Sequence, residues 1–252
     1  MTLANALKPA MFKAGKVIME IHKKKVSAKL KPDGSPVTEA DEAAEAILLP
    51  ALAELAPEIP VVSEENAASH NLKAGSLFFL VDPIDGTKEF LKPDGQGSFT
   101  VNIGLIHDGE PVMGLVYAPA FDALYIGVVG GEAIKITGGI EEPLLVRDIP
   151  PSGVVAVASA SHRDDATNAW LAAHQITQTR SIGSSLKFCL VAEGAADVYP
   201  RFGPTMEWDT AAGDAVLRAA GGMVMTTDHE PYPYGKDEYR NSAFIASGRW
   251  RP

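Results

Sequence analysis

The chain has 252 residues, 46% apolar and 21% charged, which is the composition of an ordinary soluble globular protein with one large or two modest domains. Its net charge of −10 argues against a nucleic-acid polymer as partner, because such proteins present a basic face. The single cysteine, Cys189, excludes an intramolecular disulfide framework and predicts a reducing, cytoplasmic setting.

The N-terminal stretch predicts an amphipathic helix and not a secretory signal. Lys8, Pro9 and Lys13 interrupt the apolar stretch, and apolar residues recur at helical spacing as far as Ile21. No run of about 18 apolar residues occurs, so no membrane-spanning segment is expected. A peripheral association with the inner face of a membrane is left open.

The following segments predict an antiparallel-rich part. A second helix is expected from Thr38 to about Ala56, where Thr38 and Asp41 have the spacing of a capping box. Short strands are expected over residues 60–63, 77–81 and 98–106, and three more strands within residues 112–137 form a meander.

The second half of the sequence alternates between strands and helices. Strands are expected at 154–158, 176–182 and 197–199, and helices at 163–174, 184–193 and 210–220. A seam near residues 143–151 divides the chain into an N-terminal α+β part, 1–147, and a C-terminal α/β part, 148–252. The predicted fold class is therefore α/β, of the α+β type.

Acidic residues stand at the ends of these elements. Asp82 and Asp85 end an apolar run, Glu64 follows a short strand, Asp209 begins a helix, and Asp41 lies in a first helical turn. Each alone is explained as a turn former, a loop residue or a helix cap. Together they predict a shared site, because strand ends and helix starts gather along one edge of a sheet. Carboxylates gathered in this way need hard cations such as Mg²⁺.

The segment DPIDGT, residues 82–87, has the features of a metal and phosphate site. Its proline fixes a backbone angle, which lets Asp82, the Ile84 carbonyl and Asp85 face one cavity. Its glycine permits close approach of a phosphate, and Thr87 opens a helix whose free N–H groups attract anions. Because two neighbouring metals can activate a water and stabilise the departing oxygen, the pattern predicts phosphate-ester hydrolysis.

Four blocks in the expected order, spread over most of the chain, resemble the inositol monophosphatase superfamily of magnesium-dependent, lithium-sensitive phosphatases. They are SPVTEAD (35–41), VVSEEN (61–66), DPIDGTKEF (82–90) and EWDTAAGDAVLRAAGG (207–222). The resemblance implies a layered αβαβα sandwich of the sugar-phosphatase kind. It also implies two to three Mg²⁺ ions, with Ca²⁺ and Li⁺ as inhibitors. The oligomeric state stays open, although many relatives are homodimers.

The resemblance assigns metal ligands residue by residue. Glu64, Asp82 and the Ile84 carbonyl would bind the metal that activates the water. Asp82, Asp85 and Asp209 would bind a second metal near the leaving group, with Asp82 bridging. Glu64 would also reach a third, weaker metal.

Further roles follow from the same resemblance. Asp41 and Thr87 would orient the attacking water, and Gly86 and Thr87 would offer backbone N–H groups to the phosphate.

Within the superfamily, DGTKEF, SASHRD and GSSLKFCLVAEGAADVYPR are most similar to the 3′(2′),5′-bisphosphate nucleotidases. The resemblance implies removal of the 3′-phosphate from adenosine 3′,5′-bisphosphate, a by-product of sulfate assimilation, and extends to its sulfated precursor. It implies four nucleotide contacts: His162, Ser184, Lys187 and Arg201. Their ordinary interpretations are a surface histidine, a helix cap and solvated charges, and for Ser184 the cap and the contact can coexist.

Other interpretations stay open. The chain could be an inositol-1-monophosphatase, a fructose-1,6-bisphosphatase, or a metal- and nucleotide-binding sensor without turnover. Ser184 and Lys187 match the SxxK signature of penicillin-binding proteins, but no SDN or KTG follows. Trp208 is expected to be a packing anchor for the ligand-bearing helix and Cys189 a core residue, while histidines other than His162 need no functional account.

Overall fold

The fold is given by a computed structural model that describes residues 1–24, 29–30, 36–72, 75–92, 97–159 and 163–251. Helix α1, Thr2–His22, precedes a short antiparallel pair, β1 Lys29–Leu30 and β2 Pro36–Val37. Helix α2, Glu39–Leu55, follows. The Thr38 backbone N–H donates to Asp41 Oδ2 at 2.8 Å, and the Ala40 N–H donates to Thr38 Oγ1 at 3.1 Å. The predicted capping box is therefore confirmed.

The larger sheet has seven strands in the order β3-β4-β5-β6-β7-β8-β9. They are β3 Val61–Ser63, β4 Leu77–Asp85, β5 Thr100–His107, β6 Glu110–Ala118, β7 Ala123–Val128, β8 Ala133–Thr137 and β9 Ile140–Pro143. β3 pairs with β4 in parallel, and each later pair is antiparallel. The predicted meander is confirmed, and β9 extends it by one strand that the sequence did not indicate.

Strand β4 was expected to end at Val81, but it continues to Asp85. Asp82 pairs with Asn102 and Asp85 pairs with Thr100. Between these two pairs β4 contains two residues and β5 contains one. This is a β-bulge, which accommodates Pro83 because the extra residue stays out of the hydrogen-bonded ladder. The short helix α3, Thr87–Phe90, follows directly.

The smaller sheet has five strands in the order β11-β10-β12-β14-β13. They are β10 Val155–Ser159, β11 Gln178–Ile182, β12 Val198–Arg201, β13 Met223–Thr226 and β14 Phe244–Ser247. Three helices connect them: α4 Asp165–Ala173, α5 Leu186–Ala192 and α6 Glu207–Ala219. β10 pairs in parallel with β11 and β12, which confirms the predicted strand–helix alternation.

Helix α6 begins at Glu207, three residues before the predicted start. Its N-cap is Met206, whose backbone N–H donates to Asp209 Oδ2 at 2.7 Å. Asp209 is therefore the third residue of the helix and satisfies one of the backbone groups that every helix start leaves unpaired. Asp209 therefore caps α6 from within its first turn, whereas the N-cap position itself belongs to Met206.

Three apolar clusters define five layers. The first contains α1, α2 and one face of the larger sheet. The second contains the other face of that sheet, α5, α6 and one face of the smaller sheet. The third contains α4 and the outer face of the smaller sheet. The order is helix, sheet, helix, sheet, helix, so the predicted αβαβα sandwich is confirmed. The division at residues 147 and 148 stays a prediction.

Gly114 on β6 lets α6 lie directly on the larger sheet. A side chain at this position would collide with the Ala212 backbone. The absence of a side chain at Gly114 thus sets the distance between α6, which contains Asp209, and the larger sheet, which contains Asp82. Among the helices of the described residues, none combines the length and apolar character that crossing a bilayer requires.

Candidate metal and phosphate site

Three of the predicted ligands come together at one point. Glu64 lies just after β3, Asp82 lies in β4 and Asp209 lies in the first turn of α6. One carboxylate oxygen from each lies within 4.8 Å of the others. The bulge in β4 also brings Ile84 and Asp85 to the lining of the cleft that contains these three residues. The structure therefore gathers all five predicted metal ligands.

The electrostatics of this cluster favour a bound cation. Burial raises the pKa of Asp82 well above its usual range, and the negative charges of Glu64 and Asp85 raise it further. Burial likewise raises the pKa of Asp209, and the Asp85 charge adds to it. Two or more ionised carboxylates packed together out of water repel each other. Nearby positive charge is what would keep them ionised.

The donor set also fits a hard divalent cation. Both carboxylate oxygens of Asp82 are buried and, among the described residues, accept no hydrogen bond from a donor. Buried carboxylates are normally paired, hydrogen-bonded or bound to a metal. The cluster of Glu64, Asp82 and Asp209 offers oxygen alone, and oxygen is the ligand that Mg²⁺ prefers, while zinc sites favour sulfur and imidazole.

Asp85 is held differently from Asp82. Its Oδ2 accepts a hydrogen bond from the Ser185 hydroxyl at 2.9 Å. Burial raises the pKa of Asp85, whereas the Lys187 charge and the Ser185 hydroxyl lower it. The sequence motif GSSLKF predicted a contact at Ser184 and gave no signal for Ser185. Its contact joins residues 100 positions apart, so no local pattern could have revealed it.

His70 also lies at the site, although its sequence neighbours carry no motif that predicts this. Its Nε2 lies 2.8 Å from the Ser63 carbonyl oxygen, and its ring stacks on Trp208 with the centroids 4.8 Å apart. The residue thus joins the end of β3, next to Glu64, to the first turn of α6, next to Asp209. Trp208 is 5% exposed and is the packing anchor that was predicted.

The predicted water-orienting residues lie on two elements. Thr87, at the start of α3, lines the cleft, and its hydroxyl donates to the Ile84 carbonyl oxygen at 3.3 Å. Asp41 is 1% exposed and is fixed by Thr38, whose hydroxyl donates to Asp41 Oδ2 at 2.7 Å. The described lining of the cleft includes Thr87 and not Asp41.

Gly86 forms the turn between β4 and α3. Its φ of 93° lies in the left-handed region, which glycine adopts without strain. A side chain there would also approach the Ser98 carbonyl oxygen to 3.1 Å. Gly86 and Thr87 both line the cleft beside the carboxylates.

The same cleft, of about 590 Å³, contains the predicted nucleotide contacts that the structure describes. Lys187 is 5% exposed, its Nζ donates to the Ser184 carbonyl oxygen at 2.5 Å, and it lies 5.2 Å from the Tyr199 ring centre. Burial lowers the pKa of Lys187 to about 8, against the opposing effect of the Asp85 charge. Neither Lys187 nor Arg201, which is 8% exposed, is the solvated surface charge of the ordinary interpretation.

Ser184 and His162 complete the predicted contacts. Ser184 lines the cleft, has a φ of 53°, and its hydroxyl accepts from the Leu186 N–H at 3.4 Å. The N-cap residue of α5 is Ser185, so Ser184 is not the helix cap that was predicted, and its nucleotide contact stays a prediction. His162 lies outside the described residues.

The sequence profile of the inositol monophosphatase family matches residues 2–251. A Shigella flexneri protein named 3′(2′),5′-bisphosphate nucleotidase CysQ is 45% identical over 238 residues, covering 93% of this chain and 95% of that protein. The crystal structure of CysQ from Bacteroides thetaiotaomicron aligns with a TM-score of 0.84 at 39% identity, covering 98% of this chain and 97% of its own.

A solved inositol monophosphatase from Anabaena (Nostoc) sp. PCC 7120 aligns with a TM-score of 0.77 at 26% identity, covering 98% of this chain and 90% of its own. The family predicted from the four sequence blocks is therefore confirmed. The chain belongs to the inositol monophosphatase family.

Proposed function

We propose that the chain is a metal-dependent 3′(2′),5′-bisphosphate nucleotidase that hydrolyses adenosine 3′,5′-bisphosphate to AMP and phosphate, and that it also accepts 3′-phosphoadenylyl sulfate. One observation carries the proposal: a carboxylate cluster and two largely buried cations, Lys187 and Arg201, line the same cleft. The Shigella flexneri relative named for this activity, at 45% identity over 93% of the chain, supports it.

The hydrolysis breaks the bond between phosphorus and O3′. An oxygen atom of water bonds to phosphorus, and a proton from that water ends on O3′. Two to three Mg²⁺ ions are proposed as cofactors, held by Glu64, Asp82, the Ile84 carbonyl, Asp85 and Asp209. When bound, such ions supply Lewis-acid charge that stabilises the charge developing during phosphoryl transfer. Ca²⁺ and Li⁺ are proposed as inhibitors.

The residues of the chain supply orientation. Thr87 is proposed to orient the attacking water with Asp41, with Glu64 as the third catalytic residue. The hydrogen bond from the Thr87 hydroxyl to the Ile84 carbonyl, at 3.3 Å, supports a position beside the metal ligands. Gly86 and Thr87 are proposed to bind the reacting phosphate through their backbone N–H groups, since both line the cleft.

Selection of a nucleotide is assigned to the cationic side of the cleft. Lys187 and Arg201, with Ser184 and His162, are proposed to bind the non-reacting part of the substrate, including its second phosphate. Charge-assisted hydrogen bonds to phosphate are about twice as strong as neutral ones. A substrate with two phosphates therefore gains more from this cleft than one with a single phosphate.

A phosphate-release panel with Mg²⁺ tests the proposal. The substrates are adenosine 3′,5′-bisphosphate, 3′-phosphoadenylyl sulfate, inositol 1-phosphate, fructose 1,6-bisphosphate and AMP, each also assayed with millimolar Ca²⁺ or Li⁺. The bisphosphate nucleotide should have the highest kcat/KM, and both added ions should inhibit. Faster turnover of inositol 1-phosphate or fructose 1,6-bisphosphate would overturn the substrate assignment.

The same panel separates an enzyme from a sensor. Tight binding of adenosine 3′,5′-bisphosphate by calorimetry without phosphate release would identify a sensor and sink the proposed function. The homodimer, the cytoplasmic setting and a peripheral membrane association stay predictions.

A further inference from the structure

Ser185 joins the two ligand-bearing elements of the site through one hydroxyl. Its Oγ lies 2.9 Å from Asp85 Oδ2, which follows the bulge of β4, and 2.9 Å from the Asp209 carbonyl oxygen, in the first turn of α6. A third partner, Asn102 Nδ2 on β5, lies 2.8 Å away. These partners are 100, 24 and 83 positions from Ser185 in the sequence, so the hydroxyl connects parts of the chain that only folding brings together.

The chemistry of the three partners fixes the direction of the hydrogen bonds. The Asp209 carbonyl and an ionised Asp85 accept hydrogen bonds and cannot donate them. The single hydrogen of the Ser185 hydroxyl must therefore point to one of these two acceptors. The third partner has to be a donor, and the Asn102 amide supplies it. Both acceptors lie at 2.9 Å, and an ionised carboxylate is a stronger acceptor than a backbone carbonyl, so the Ser185 hydrogen is assigned to Asp85. A chain of donors then runs from Asn102 through Ser185 to Asp85.

Burial makes this chain of contacts hard to replace. Asn102 is fully buried and Ser185 is 1% exposed. Bulk water is therefore poorly placed to take over the hydrogen bond to Asp85 if the hydroxyl is removed. Asn102 also pairs directly with Asp82 across the two strands. Its backbone is therefore next to Asp82, while its side chain reaches Asp85 through the Ser185 hydroxyl.

We propose that Asn102 and Ser185 are positioning residues that fix the carboxylate of Asp85, and the first turn of α6, for the second of the proposed cations. The inference rests on the proposed function for the identity of the ligands. Partners behind a metal ligand typically change metal affinity by about 10- to 100-fold when they are removed. Loss of the Ser185 hydroxyl should therefore lower the affinity for the cation proposed to bind Asp85 and Asp209. The affinity of the site formed by Glu64 and Asp82 should not change.

The test measures metal binding directly. Mn²⁺ is titrated into the metal-free protein, with and without inorganic phosphate, and free Mn²⁺ is counted by electron paramagnetic resonance. Ser185→Ala should lose about 10-fold or more in affinity at one class of sites. Ser185→Thr, which keeps the hydroxyl, should stay within about threefold of the wild type. Asn102→Ala should show a smaller loss that does not add to that of Ser185→Ala, because both act through one hydrogen bond.

Ser247→Ala is the matched control, since Ser247 is a buried serine on β14 at 2% exposure. It should leave Mn²⁺ affinity unchanged, whatever its effect on stability. Wild-type Mn²⁺ affinities in both Ser185→Ala and Asn102→Ala would overturn the proposal and leave these residues a packing role. If the wild type binds Mn²⁺ but releases phosphate from no substrate, the proposed function fails, while the affinities still decide the role of Ser185.

Discussion

Asp82 and Asp209 bring carboxylate oxygens within 4.8 Å of each other, although 127 positions separate them in the sequence. Asp82 is 1% exposed, and neither of its oxygens accepts a hydrogen bond from a donor among the described residues. In the metal-free protein this arrangement costs free energy, because burial and mutual repulsion both oppose ionisation. A bound cation removes that cost. Replacing one of these carboxylates by a neutral side chain should therefore raise the unfolding free energy of the metal-free protein and lower the rate of phosphate release.

Asp82→Asn should separate these two effects. Phosphate release should fall by about 100-fold or more, because the side chain proposed to bind two of the cations is lost. In EDTA, the unfolding free energy should rise by about 1–3 kcal/mol, because the wild type must either bury an uncompensated charge or hold a proton that the unfolded chain releases, whereas a neutral amide does neither. The measurements are phosphate release with Mg²⁺ and urea unfolding with EDTA. Near-normal phosphate release would refute the assignment of Asp82 as a bridging ligand.

Asp197→Asn provides the matched contrast, because Asp197 is equally buried but paired. Arg147 donates to both of its carboxylate oxygens, at 2.9 and 2.8 Å, and the Val155 N–H donates to Oδ2 at 2.7 Å. Asp197 is buried but Arg147 is 31% exposed, so solvent screens part of the pair, and its loss should cost about 1–3 kcal/mol. Asp197→Asn should therefore lower the unfolding free energy in EDTA, the reverse of Asp82→Asn, and leave the Mg²⁺ dependence of phosphate release unchanged.

Local signals made much of this fold predictable. The Thr38 and Asp41 spacing correctly indicated a capping box, and the strand expected over residues 98–106, where apolar and polar residues alternate, is found as β5. Such features depend on residues a few positions apart, and one stretch of sequence contains all the information they need. The gathering of acidic residues was predictable for a different reason, since strand ends and helix starts meet at sheet edges.

The remaining features depend on contacts between distant parts of the chain. The bulge in β4 exists only relative to its partner β5, so DPIDGT alone suggested a broken strand. The hydrogen bond from Ser185 to Asp85 and the stack of His70 on Trp208 likewise form only after distant elements meet. The early start of α6 at Glu207 was missed because methionine is not a usual N-cap residue.

Gly114→Ala should lower both the unfolding free energy and the affinity for Mn²⁺. A Cβ at this position would collide with the Ala212 backbone of α6, and a backbone cannot yield as a flexible side chain can. Overpacking of this kind typically costs about 1–3 kcal/mol, and a displaced α6 would also move Asp209. Urea unfolding and Mn²⁺ titration should both show a loss. Gly75→Ala is the control, since a Cβ there meets nothing within 4 Å, and unchanged Mn²⁺ affinity in Gly114→Ala would show that α6 does not move.

Lys187→Met should alter substrate binding more than folding. A lost charge-assisted hydrogen bond to phosphate is worth about 1.5–3 kcal/mol, so KM for adenosine 3′,5′-bisphosphate should rise by about 10-fold or more. Methionine is apolar and unbranched, which suits a site at 5% exposure, so the unfolding free energy in Mg²⁺ should change by less than about 1 kcal/mol. Steady-state kinetics and urea unfolding test this, with Lys187→Arg as the variant that keeps the charge. An unchanged KM in Lys187→Met would rule out a substrate contact.

Asp214, one turn beyond Asp209 on α6, should make stability depend on pH in a defined direction. It is fully buried, receives hydrogen bonds from Arg218 Nε at 2.7 Å and from the Tyr234 hydroxyl at 3.0 Å, and burial raises its pKa to about 6 despite the Arg218 charge. The ordinary pKa in the unfolded chain is 3.8. Between these values the folded state binds more protons than the unfolded state, so the contribution of Asp214 to stability is present below pH 4 and is lost as the pH rises through 6.

Asp214→Asn should remove this dependence. The unfolding free energy of the wild type minus that of Asp214→Asn should fall by about 2–3 kcal/mol between pH 4 and pH 7, since one pKa unit corresponds to about 1.36 kcal/mol. Urea unfolding at fixed Mg²⁺ concentration measures the difference. Asp148→Asn, which removes a carboxyl group that is 83% exposed, is the control for the loss of one negative charge at the surface. If the difference between the wild type and Asp214→Asn does not change between pH 4 and pH 7, the Arg218 pairing keeps Asp214 ionised throughout, which would contradict the raised pKa.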